Sequence, residues 1–304
     1  MKNLYEYILE NKDLADDLID VYKSEFDNLS RHSKVHLLTR GNLIKMFSKN
    51  KMIETLKYNA DKLSEVIDLF NNDIDKLIDK YVLIGYKTKG RKEDIGNLFK
   101  SVNTTYKKFL CIVTILEMTY TFQRVNMLNM IDIDNINSII NDNIDTIKEC
   151  IKTDKYNFKK NASTKYINSL YFITNLKHTL TSLNKVIDDI NYNDCIEYFI
   201  DLYKNQPNET TIYGITHILI GASDFYQKQI NDKYYSLVSI LEDLTSKPLF
   251  NKLSLDLRIE ILLCCKLFGH EKNIDLSNEI SKSNPDKNEH TNMLYILLKK
   301  YEIS

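Results

Sequence analysis

The chain has 304 residues, 41 basic against 42 acidic side chains, a net charge of −1 and 43 % hydrophobic residues. That suffices for one or two domains with a real core and excludes wholesale disorder. Seven Gly and three Pro exclude a Gly-rich phosphate loop and disfavour turn-rich β-folds, while the charge balance argues against non-specific nucleic-acid binding.

Apolar residues recur at helical spacing almost throughout. The pattern predicts helices over 3–26, 35–48, 52–82, 95–130, 133–152, 163–189, 193–204, 210–230, 233–246, 254–268 and 288–301. Ile136, Ile140, Ile144, Ile147 and Ile151 share one helix face. Breaks fall at 86–94, 153–162, 205–209 and 281–289, and no segment of useful length alternates with a period of two. The expected fold is all-α, with antiparallel helical hairpins arranged as a bundle or an incomplete α/α toroid. We expect one domain over 1–304, or an N-terminal lobe over 1–90 packed on 91–304.

No apolar run approaches the ~18 residues of a membrane span, and the first residues lack the apolar core of a signal peptide. Five Cys without a C-x-x-C pair read as reduced thiols in the cytoplasm. Cys264 and Cys265 diverge on a helix and are expected in the core, not on zinc. The basic stretches 31–40 and 87–92 read as solvated loops, and His32 and His36 as ordinary surface residues.

Three helices break the apolar pattern. On 254–268, Glu260 falls inside the apolar arc, with Asp256 one turn earlier on the same face. An unpaired buried carboxylate must find a partner or hold a proton, so both are candidate catalytic groups. On the central helix 95–130, Glu117 and Arg124 interrupt the apolar surface two turns apart, about 10 Å, too far to pair directly. Arg124, one of five Arg, is a candidate anchor for an anionic substrate group or a mate for Glu260 or Asp256. On 210–230, His217 and Asp224 lie opposite the main apolar arc, beside Gly214 and Gly221. Two glycines inside a helix suggest close approach of a backbone or ligand.

Two of these segments resemble a known pattern. Tyr213-Gly-Ile-Thr-His217 with Asp224 resembles a Tyr-x-x-Thr-His…Asp helix. Asp256-Leu-Arg-Ile-Glu260-Ile-Leu-Leu-Cys264, then Leu267-Phe-Gly269, resembles an Asp-x-x-x-Glu-x-x-x-Cys…Leu-x-Gly helix. The pair is similar to uncharacterised bacterial helical proteins, some associated with biosynthetic gene clusters, that look like α/α-barrel domains. The resemblance spans about 60 residues and implies an architecture and candidate positions, not a reaction. The zinc motifs of the lanthionine cyclases, whose toroid is a more distant analogy, are absent.

The expectation is an enzyme or enzyme-like protein acting on a small molecule or peptide. Glu260, His217, Asp256 and Asp224 are its candidate catalytic residues. Arg124, Tyr213 and Glu117 are its candidate substrate contacts. Glu260 would move a proton, and His217 would be a second proton carrier or a metal ligand. No cofactor is assigned. The alternative is a non-catalytic helical scaffold that binds a peptide or protein.

Overall fold

The computed structural model of the protein describes residues 13–82, 104–153 and 163–302. Among them are thirteen α-helices joined by turns, short 3₁₀ segments and a π-helical turn at Ile78–Val82, with no strand. The all-α class therefore holds. In chain order the helices begin α1 (Leu14–Glu25), α2 (Arg31–Gly41), α3 (Lys49–Asn72), α4 (Ile74–Leu77), α5 (Thr104–Arg124) and α6 (Ile133–Asp142). Then follow α7 (Ile144–Thr153), α8 (Ser163–Leu176), α9 (Tyr192–Asn205), α10 (Glu209–Ala222) and α11 (Tyr235–Thr245). Last come α12 (Leu255–Leu267) and α13 (Pro285–Lys300). No helix among the described residues is long and apolar enough to cross a membrane.

Two compact units divide the chain, one comprising residues 1–55 and 206–304, the other 56–205. In the first unit α12 packs against α10, α11 and most extensively α13, and α13 in turn against α1 and α2. Every residue of α12 from Leu257 to Cys265 is buried, as is every residue of α13 from Asn292 to Leu298. A helix apolar nearly all round has no face to give to water, so these two lie at the centre of the unit. In the second unit the same argument places α5 at the centre, against α4, α7 and α8. Phe109 through Leu116 are all buried there.

Local chemistry sets the ends where periodicity alone overruns. The run 52–82 breaks at Asp73, whose carboxylate accepts from the Lys76 amide and starts α4. The run 133–152 breaks at Asn143, whose amide group donates to the Ile139 carbonyl. The run 163–189 stops helical winding at Leu176, and Asn184 then bonds the Lys177 and Thr181 carbonyls of the turn that follows. The stretch 31–40 is a correction: it is helix α2 and not a loop, because the Ser30 hydroxyl caps it by accepting from the Ser33 amide. The stretch 87–92 and the breaks at 86–94 and 154–162 lie outside the described residues.

Candidate functional site

The two segments that carry the resemblance meet along one seam of the first unit. Helix α10 presents Tyr213 and Thr216 at a three-residue step. Helix α12 answers with Asp256, Glu260 and Cys264 at four-residue steps, so matching rungs face each other. The Tyr213 hydroxyl donates to Asp256 Oδ2 and lies 3.4 Å from Ser254 Oγ. The Thr216 hydroxyl donates to Glu260 Oε2 at 3.0 Å. Cys264 Sγ points at the Thr216 carbonyl at 3.8 Å. Burial, then the bond to Asp256, pushes the Tyr213 hydroxyl well above the ordinary phenol range. The Cys264 thiol is driven up by burial and by the neighbouring Glu260. Tyr213 thus stays a donor and Cys264 a neutral thiol at physiological pH.

Glu260 is 3 % exposed and takes its second contact from another helix. His290 Nε2, on α13, lies 3.7 Å from Glu260 Oε1, and its side chain is 40 % exposed. The result is a buried carboxylate facing a half-exposed imidazole, an arrangement able to orient a ring that exchanges protons with water or a ligand. Thr216→Val should remove the hydroxyl that donates to Glu260 Oε2 and destabilise the unit by about 1–3 kcal/mol. Urea unfolding measures it, and no change would mean that water replaces the hydroxyl.

The other candidates are placed differently. His217 is half-buried on α10, its ring centroid 6.4 Å from that of Tyr213. Gly214 and Gly221 beside it are both buried. Asp224 is not on the helix: α10 ends at Ala222, and Asp224, Phe225 and Tyr226 all have positive φ. That left-handed turn is held by the Ser223 hydroxyl, which accepts from the Tyr226 amide, and by the Phe225 amide bonding to the Ile220 carbonyl. Arg124, in the last turn of α5, and Glu117, exposed on the same helix, belong to the second unit.

Sequence reasoning missed a second cluster one residue away. Glu289, 3 % exposed on α13, lies 3.6 Å from His36 Nδ1 and 3.8 Å from Arg40 Nη1 on α2. Arg40 Nη1 is 3.3 Å from His36 Nδ1. Burial opposes ionisation of Glu289, but His36 and the Arg40 charge outweigh it and hold its pKa below the ordinary value. The predicted helix 288–301 contains both Glu289 and His290 but begins three residues late, and neither was singled out as an ionisable group on a buried face. The available signal was Asn284-Pro285: the Asn284 side chain caps α13 and proline occupies its first turn. Among the described residues no group of three or more His, Cys, Asp or Glu is arranged to hold a metal ion. Comparison with known protein families, characterised proteins and solved structures gives no match to this chain.

Proposed function

We propose that the α10–α12–α13 seam is the working site of an enzyme-like protein that acts on a small molecule or peptide by proton transfer. One observation carries this reading: the half-exposed His290 imidazole set against the buried Glu260 carboxylate. A proton carrier needs one nitrogen held and the ring open to a reactant, and contacts of this kind are often long before a ligand binds. Tyr213 and Asp256 continue the same polar seam, and His217 is a second proton carrier beside Tyr213. The five buried free thiols support a reducing, cytoplasmic setting. The bacterial origin and toroid arrangement implied by the resemblance belong to the same proposal.

A scaffold reading has its own support, because Glu260 takes one partner from α10 and one from α13 and so ties three helices together. The two are separated by assaying wild type, Glu260→Gln and His290→Ala on a panel of p-nitrophenyl esters and peptide p-nitroanilides. We expect about a hundredfold loss of turnover or more in both variants at unchanged circular dichroism. Turnover retained in either variant would remove the catalytic assignment. Lost stability in Glu260→Gln with no effect on turnover would favour the scaffold.

A further inference from the structure

We propose that His36 completes the His290 site as its oxyanion donor, its Nε2–H bonding the negative charge that forms on a substrate carbonyl oxygen while His290 moves the proton. The role rests on the catalytic reading of His290 and Glu260 and makes the substrate a carbonyl compound, an ester or amide. His36 and His290 are neighbours from different helices, with ring centroids 6.4 Å apart. Their side chains are 37 % and 40 % exposed, and each ring stands against a carboxylate that is almost fully buried, Glu289 for His36 and Glu260 for His290. The helices that carry the rings are tied beside them. The Ser30 amide donates to Asp286 Oδ1 at 2.8 Å, the Ser33 hydroxyl donates to the Asp286 carbonyl at 3.4 Å, and Arg40 faces Glu289. Both imidazoles are thus held in place before a ligand arrives, as electrostatic catalysis requires.

Geometry at Nδ1 decides which hydrogen His36 presents. Arg40 Nη1 lies 3.3 Å from that nitrogen, while Glu289 Oε2 lies 3.6 Å from it, beyond hydrogen-bond length. A guanidinium has donors and no acceptor, so the Arg40 contact needs the Nδ1 lone pair. The hydrogen of the neutral ring then sits on Nε2, at another edge. The titratable and charged groups around His36 are Arg40 and His32 on its own helix and Glu289 and His290 on α13. Burial, joined by the Arg40 and His32 charges, holds its pKa below the ordinary 6.5 against the pull of Glu289, which agrees with a neutral ring. A neutral imidazole N–H keeps its hydrogen and so polarises a carbonyl without giving a proton away.

His290 is set for the other role. Its Nε2 faces Glu260 Oε1 at 3.7 Å, which leaves Nδ1 to take a proton. In hydrolysis, water attacks the carbonyl carbon as His290 Nδ1 takes one of its protons. The C=O electron pair moves onto the oxygen, where His36 Nε2–H bonds it. That pair then re-forms C=O and breaks the bond to the leaving oxygen or nitrogen, which receives the proton from His290. Ester or amide plus water gives acid plus alcohol or amine, and both rings end as they began.

Long-range ¹H–¹⁵N NMR of the full chain, labelled at histidine and held at neutral pH, reads the tautomer without a substrate. His36 should carry its hydrogen on Nε2. In Arg40→Met the hydrogen should move toward Nδ1, where Glu289 can accept it. A wild-type Nδ1–H ring overturns the donor role alone and leaves the reading of His290 and Glu260 standing. On the p-nitrophenyl ester and peptide p-nitroanilide panel, His36→Leu should lower kcat about 100–1000-fold with KM little changed, the cost of one oxyanion donor. His36→Gln keeps a side-chain N–H and should regain about tenfold of that loss or more. Turnover in His36→Leu within about threefold of wild type, or an equal loss in both variants, overturns the donor role. A wild type inert on the whole panel overturns the catalytic reading and the donor role with it. Should His36→Leu not fold, the wild-type tautomer decides.

Discussion

Replacing Glu289 by alanine is expected to destabilise the first unit by about 3 kcal/mol. The carboxylate is 3 % exposed and is, among the described residues, the counter-charge set against Arg40, whose side chain is only 13 % exposed. Removing one partner of such a pair leaves a cation in a space closed to most water, which costs far more than the pair itself contributes. Arg40 Nη1 stands at 3.8 Å, beyond hydrogen-bond length, so the value should lie at the low end of the range for broken buried pairs. Urea unfolding followed by circular dichroism measures it. Adding Arg40→Met should recover much of the loss, since it removes the cation left without its carboxylate. A single-variant loss under about 1 kcal/mol would mean that Arg40 turns to solvent, and the seam would then not be held by charge.

Phe109→Ala should destabilise the second unit by about 3–5 kcal/mol. The ring is 1 % exposed on α5, the helix around which α4, α7 and α8 pack. Truncation loses the transfer free energy of the ring and leaves a cavity that the tightly packed segment Phe109 to Leu116 closes poorly. Phe109→Leu, which keeps most of the volume, should cost less than half as much. Hydrogen exchange of α5 and α8 peptides locates the loss in this unit. Equal effects of Leu and Ala would mean that the aromatic ring, and not the filled volume, matters there.

The helical class was legible because it depends on local spacing: four-residue apolar steps need no partner to be recognised. The same holds for the burial of Glu260, which a helical wheel places inside the apolar arc of its own helix. The ends were less legible. Periodicity carries past Asp73, Asn143 and Leu176, but the side chains of Asp73, Asn143 and, after Leu176, Asn184 bond the backbone and turn it, a competition that an apolar pattern does not register. Asp224 shows the consequence most clearly. On an uninterrupted helix it would lie near His217; three left-handed residues take it off that face.

Which partners meet was decided by tertiary structure. Glu260 meets Thr216 and His290, from helices 44 and 30 positions away in the chain. Glu289 meets His36 and Arg40 across more than 240 residues. The sequence by itself determined that α10, α12 and most of α13 are helices and that the Glu260 carboxylate goes inside. Only the packing of α12 against α10 and of α13 against α2 chose the mates. A buried charge specifies that it must be answered, and the residue that answers it depends on which helix lies alongside.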